Sequence, residues 1–357
     1  MGREVLSALA RLDRIEALLV LAPTEWPAHW YEGSTALEIH GLQPGVRAKF
    51  VGENITLRRL LSRWGADALL SLTDTSLVGC PVPHVLMVQQ GFMAYEPGDL
   101  NFTLPRRVGL HFRAMAAYLR RGLPSVDRVT VQTAHMKQAF CERWGHRPEE
   151  VSVVPSTVPR AIRELGEQGP IAPSDPPSLA CISGPGPYKN HAVLAPMMAA
   201  LSTDIPALRC LLTVRPDEVP ELTRRAEGLG VLNRFEFAGR LSMPETMSRL
   251  RGAVAAVLPS KLESFGIPYH EAMALGVPVA ASDTPHAREA LDDAGWYAPA
   301  DDGLAWADAV RAMLGDRAEA ARRSRARFEA HSWTWDEVAA AYVVLLQETI
   351  ASSSRFK

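Results

Sequence analysis

The chain has 357 residues, with 38 Lys and Arg against 40 Asp and Glu, and 47% of it is hydrophobic. At roughly 150 residues per domain this length suggests two domains, each with enough apolar content for its own core. A net charge of −2 argues against nucleic-acid binding, which needs a basic excess to neutralise phosphates, and 25 Gly and 27 Pro scattered without a period exclude a collagen-like chain.

Four cysteines, Cys80, Cys141, Cys181 and Cys210, stand far apart with no CxxC pair, so they read as reduced and buried. The first twenty residues carry charges throughout, and no apolar run approaches the roughly 18 residues of a membrane span. The expected location is the cytoplasm. Only five lysines (Lys49, Lys137, Lys189, Lys261, Lys357) accompany 33 arginines, so each lysine position invites a reason.

In chain order, Arg3–Leu12 reads as a helix, which leaves the first strand either missing or beginning at Ala17. Strands are expected at 17–22, 68–72, 84–88, 128–131 and 151–154, with helices at 57–64 and 136–144. Pro155–Pro177, rich in Pro, Gly and charge, reads as a linker. The alternation then resumes with strands at 179–183, 208–214, 234–238, 253–258 and 277–282. Helices fall at 191–201, 219–229, 244–250, 268–275 and 316–330. Such alternation in two blocks predicts two α/β domains with mostly parallel sheets. From Trp335 to Ile350, the residues Val338, Ala341, Tyr342, Leu345 and Thr349 repeat at helical spacing and predict one buried stripe.

The most informative stretch is Val257-Leu258-Pro259-Ser260-Lys261-Leu262-Glu263-Ser264-Phe265-Gly266-Ile267-Pro268-Tyr269-His270-Glu271, running on to Gly276 and Ala280. It reads as strand, loop, helix, glycine stop, strand. Pro268 suits a first helical turn and Gly276 the position past a helix end. On one continuous helix Glu263 and Glu271 would lie about 12 Å apart along the axis. A turn at Gly266–Pro268 instead puts Glu263 in the loop and Glu271 in the first helical turn, so both can face one site. Amides near Gly266 and Ile267 then form a helix N-terminus suited to a diphosphate.

This Glu-x7-Glu block resembles the signature of the retaining nucleotide-sugar glycosyltransferases of family 4, also called group 1. Other segments resemble that family in order: Val131-Gln132-Thr133, Val153-Val154-Pro155, Pro187-Tyr188-Lys189-Asn190, Gly239-Arg240-Leu241, Ala281-Ser282-Asp283, Arg288-Glu289, Gly295 and Ser332-Trp333. The likeness covers residues 179–345 closely and residues 1–155 only generally. It implies the GT-B fold, two facing Rossmann-like α/β domains with parallel sheets and an interdomain cleft. Residues 1–155 would form the acceptor domain, 156–176 the linker and 177–332 the donor domain. Residues 333–350 would form a helix crossing back to the first domain.

The resemblance implies roles residue by residue. Lys189 would neutralise the distal phosphate of a nucleoside-diphosphate sugar, and Glu263 would bind hydroxyls of the transferred sugar. Glu271 would bind both ribose hydroxyls, which suits the paired acceptors of a carboxylate. Gly266 and Ile267 would offer amides to the diphosphate, Gly184 and Gly186 would let backbone approach the phosphate, and Ser264, Phe265 and Asn190 would be donor-binding. Gly239, Arg240 and Leu241 would lie near the base. Thr133 would either touch the donor or satisfy local backbone. Two departures stand out. Tyr188 occupies the place of an arginine, and Gln89, followed by Gln90, stands where many members have a histidine; both glutamines remain candidates for sugar or acceptor contact.

The implied reaction is retaining hexosyl transfer to a glycan or lipid-linked acceptor, in surface polysaccharide or glycolipid assembly, with no cofactor and no metal. A catalytically silent nucleotide-sugar-binding paralogue is the alternative, and an epimerase of the same fold a lesser one. The basic amphipathic stretch Pro105–Arg121 reads first as a solvated helix face. The resemblance adds peripheral contact with anionic membrane at the inner face of the cell membrane. Trp26, Trp30 and Tyr31 read as loop or core packing, with an acceptor site as the alternative.

Overall fold

The computed structural model describes residues 2–23, 36–42 and 50–353; Trp26, Trp30 and Tyr31 lie outside them. The chain divides into two compact units: Met1–Pro97, Pro105–Ser156 and Trp333–Lys357 in the first, Gly98–Leu104 and Thr157–Ser332 in the second.

In the first unit, β1 (Ala17–Pro23) and β2 (Ala36–Leu42) pair in parallel as a sheet of their own. The main sheet is parallel, in the order β3 (Leu69–Ser71), β4 (His84–Met87), β5 (Arg128–Val131), β6 (Val151–Val153). Of the two readings of the N-terminus, a main sheet that begins at Ala17 is not what the described residues show, since among them β1 hydrogen-bonds to β2 alone.

Alternation along β4 turns Val85 and Met87 to one face. Val5, Ala8 and Leu9 of the helix Gly2–Leu9 pack there, with Trp335, Val338, Ala339, Tyr342 and Val343 of the helix Trp335–Ser352. That last helix starts cleanly because Thr334 and Glu337 form a reciprocal capping box. Its buried stripe is wider than the spacing predicted. Ala339 and Val343 join it, while Ala341 and Leu345 sit at its margin, only partly buried.

The second unit carries one parallel sheet in the order β12-β11-β10-β7-β8-β9. Its strands are β7 (Ser178–Cys181), β8 (Arg209–Leu212), β9 (Phe235–Phe237), β10 (Ala255–Leu258), β11 (Val279–Ser282) and β12 (Gly295–Ala298). Both faces are covered, as a parallel sheet requires. Leu179 and Cys181 of β7 join a core with the helices Leu194–Leu201, Pro220–Gly228 and Gly303–Gly315. Ala180 points the other way, to the helices Met243–Arg251 and Ile267–Ala274 and to Phe328.

Two expectations need correction. The segment 156–176 is not all linker. It contains the helix Arg160–Glu167, whose Ile162 is buried in the second unit's core. Gly166 on that helix lies so close to Ala274 that a Cβ would stand 2.0 Å from its carbonyl oxygen. Pro, Gly and charge around it masked this short amphipathic turn. Strand β12, Gly-Trp-Tyr-Ala, was not anticipated either; at the sheet edge it lacks the continuous apolar run of its neighbours.

Candidate active site

Strand order in the second unit reverses between β7 and β10, which are hydrogen-bonded neighbours whose following helices cover opposite faces. The crevice outside the carboxyl ends of two such strands is where open α/β sheets bind ligands. The loops that leave β7 and β10 carry the Pro187–Asn190 turn and the Glu-x7-Glu block.

The first loop is pinned at both ends. Thr213 Oγ1 accepts from the Ser183 amide at 3.0 Å, and Ser183 Oγ lies 2.9 Å from Nε2 of buried His191. Burial, helped by the nearby Lys189 charge, pushes His191 down to about 4, so it is neutral near pH 7. Gly184 and Gly186 lie between these anchors, and a Cβ on Gly186 would meet the Tyr188 ring at 2.9 Å. Asn190 takes a left-handed conformation (φ 54°) and donates to the Ala300 carbonyl at 2.6 Å.

The second loop is strapped to the first by the Lys261 amide, which donates to the Tyr188 carbonyl at 2.7 Å. Lys189 and Glu263, 74 residues apart in sequence, meet there. Lys189 Nζ stands 2.5 Å from Glu263 Oε1, with side chains only 12% and 14% exposed. The two residues assigned to phosphate and sugar thus hold one another.

Gly266 starts the helix Ile267–Ala274 from the left-handed region (φ 75°), and a Cβ there would meet Tyr269 Cδ2 at 2.3 Å. Among the described residues neither the Gly266 nor the Ile267 amide donates to another backbone group. Ser264 is half-buried, and Phe265 stacks on His270 with ring centroids 4.1 Å apart. Glu271 is the fifth residue of the helix, so it falls in the second turn and not the first. It is buried, and no hydrogen bond or ion pair reaches its carboxylate among the described residues. Burial pushes it up to about 7.

The other candidates lie on other elements. Gly239 (φ 65°), Arg240 and Leu241 follow β9, two strands from β7. In the first unit, Thr133 Oγ1 accepts from the Met136 amide at 3.1 Å, capping the helix Ala134–Trp144, so the local-backbone reading describes a bond it makes. Gln89 spends its carboxamide on the Leu72 carbonyl at 2.7 Å, and buried Asp74 accepts from both the Gln89 and Gln90 amides at 2.7 Å. Gln90 itself is exposed. The helix Arg106–Gly122 exposes Arg106, Arg107, Arg113, Arg120 and Arg121 beside Val108 and Leu110. No helix among the described residues is long and apolar enough to cross a membrane. Sequence reasoning overlooked Lys261, His191 and Asp301 at the loops; the scarcity of lysine was the one signal that pointed to Lys261.

Residues 167–330 match the model of the family glycosyl transferases group 1. The chain is 30% identical over 252 residues to a D-inositol 3-phosphate glycosyltransferase of Geodermatophilus obscurus, a match covering 64% of this chain and 55% of that protein. The chain therefore spans just over half the length of that curated relative. WaaG, a glycosyltransferase involved in lipopolysaccharide biosynthesis, superposes with TM-score 0.68 at 15% identity, over 95% of this chain and 94% of WaaG. Anabaena Alr3699/HepE, solved in complex with UDP and glucose, gives TM-score 0.61 at 19% identity, over 98% and 95%. The fold class is GT-B, built from two Rossmann-like α/β units.

Proposed function

We propose, from the match of residues 167–330 to the glycosyl transferases group 1 model, that the chain is a retaining, metal-independent hexosyltransferase of family 4. It moves a sugar from a nucleoside-diphosphate sugar to a glycan or lipid-linked acceptor in surface polysaccharide or glycolipid assembly. The observation that carries this reading is Glu271: a buried carboxylate without a partner is costly, and the two hydroxyls of a ribose would satisfy it. HepE, with UDP and glucose bound, supports a nucleotide-sugar donor.

The donor diphosphate lies between the two loops. Gly266 and Ile267 offer amides, Gly184 and Gly186 let backbone approach, and Ser264, Phe265 and Asn190 flank it. Gly239, Arg240 and Leu241 serve the base, and the first unit, with Thr133, Gln89 and Gln90, serves the acceptor. Phosphate draws Lys189 away from Glu263, and Glu263 turns to the sugar hydroxyls. As the bond from the anomeric carbon to the diphosphate breaks, negative charge grows on the leaving oxygen. Lys189 and the helix amides stabilise it, an electrostatic role that needs no metal. The acceptor hydroxyl attacks from the same face, and the departing phosphate oxygen takes its proton, so configuration is retained without a separate base. The arginine-rich helix Arg106–Gly122 supplies a peripheral contact with anionic membrane.

The test is a panel of nucleotide sugars incubated without acceptor, with and without EDTA. Slow release of nucleoside diphosphate that EDTA leaves unchanged is expected; release restored only by added manganese refutes metal independence. A silent donor-binding paralogue is favoured by one observation, the engagement of Gln89 with the Leu72 carbonyl. Tight donor binding with no release from any sugar would establish that alternative.

A further inference from the structure

Lys189 and Lys261, two of only five lysines, lie on the two loops that meet at the strand switch. Lys189 is shared with Glu263, so that pair is neutral overall and offers a diphosphate little net positive potential. Lys261 has no part in the reading above. Its amide is bonded to the carbonyl of Tyr188, the residue that stands where the resemblance expects an arginine. Tyr188 is turned to other work. Its ring lies 6.1 Å from Phe102 and 5.2 Å from Lys189 Nζ, and a phenol is a poor substitute for a guanidinium towards phosphate.

Lys261 and Glu263 flank buried Leu262. The Lys261 side chain is only 14% exposed, yet its ammonium is neutralised by a solvated carboxylate, Asp301, 62% exposed, at 2.7 Å. The Asn101 carbonyl accepts from this ammonium as well, at 3.3 Å. An exposed carboxylate is a weak partner, because water competes for both charges. A diphosphate, with more charge and more acceptor oxygens, outcompetes it.

We infer that Lys261 is the second cation of the donor diphosphate site, taking over the role that Tyr188 cannot fill, with Asp301 holding its ammonium until phosphate displaces it. This rests on the donor-site reading above. It makes Lys261 a residue that distinguishes diphosphates from nucleosides, and it predicts opposite effects for its two sides.

The experiment measures binding of ADP, GDP, UDP and dTDP, and of the matching nucleosides, to the full chain by calorimetry at pH 7.5. For the diphosphate that binds, Lys261→Met should lose about ten- to a hundredfold in affinity, with the nucleoside changed less than about twofold. Asp301→Asn should bind the diphosphate about two- to fivefold more tightly, a gain that misfolding cannot imitate. Tyr188→Arg placed on Lys261→Met should restore most of the loss. Unchanged diphosphate affinity in Lys261→Met, equal losses for nucleoside and diphosphate, or weaker binding by Asp301→Asn would each overturn the inference. Wild-type protein that binds none of the four diphosphates would instead bring down the donor-site reading, and Lys261's role with it.

Discussion

Replacing Glu271 by Gln should make the protein more stable and less able to bind a donor, in a way that depends on pH. Burial raises the carboxyl from the ordinary 4.5 to about 7, so between those values the folded chain holds a proton that the unfolded chain has lost. Glu271's contribution to stability is therefore complete below pH 4.5, falls as the pH rises through that window, and is lost in full above pH 7. The shift corresponds to at most about 3 kcal/mol at pH 8. Glutamine keeps the shape without the charge, so Glu271→Gln should match the wild type within about 0.5 kcal/mol at pH 5 and exceed it by up to about 3 kcal/mol at pH 8. Donor affinity should move the other way. Two hydrogen bonds to a charged acceptor become bonds to a neutral amide, costing about 1.5–3 kcal/mol in nucleoside-diphosphate binding at pH 8. Urea melts at the two pH values, with calorimetry on the same samples, read both. A Glu271→Gln variant no more stable at pH 8 than at pH 5, relative to wild type, would show that the carboxylate is not strained by burial. Unchanged diphosphate affinity in a folded variant would remove Glu271 from the donor site.

On the proposed mechanism, in which its ammonium meets charge that grows in the transition state, Lys189→Ala should lower kcat by more than it raises KM; a change confined to KM refutes that role. Gly266→Ala should destabilise by about 1–3 kcal/mol in urea melts, since φ 75° disfavours a side chain and the Cβ would strike the Tyr269 ring; a variant of native stability would show that the turn tolerates other backbone geometry. Tyr342→Ala, emptying a fully buried site beside Val85 and Met87, should cost about 3–5 kcal/mol; a loss below about 1 kcal/mol would mean that the C-terminal helix does not pack there in solution.

The parts of this molecule that could be read from its sequence are those that local physics writes alone. The strands of the second unit are apolar runs because both of their faces are covered, and Ala255–Leu258 is buried at every position. Gly266 and Pro268 marked a helix start because few other residues suit a left-handed entry and a first turn without a donor. Thr133 at a strand end could be read two ways, and the capping bond to Met136 is one of them. What could not be read depends on residues distant in the chain. Ile162 and Leu165 look like isolated apolar residues in a charged segment until the Ala274 turn and Phe328 stand beside them. The pairing of Lys189 with Glu263 belongs to no local pattern, since it exists only because β7 and β10 are neighbours. That adjacency also changes what the residues mean. Read singly, Lys189 is a phosphate ligand and Glu263 a sugar ligand, two independent contacts. Brought within 2.5 Å they form one ion pair, so on the proposed function a single event, arrival of phosphate, would both occupy the lysine and free the carboxylate. Lys261, two residues before Glu263, forms a like pair with Asp301, with the carboxylate in solvent rather than buried, so the cost of parting them is smaller. On the proposed function the two pairs would differ in how much ligand binding must overcome: solvated Asp301 would yield Lys261 more cheaply than the less exposed Glu263 would yield Lys189.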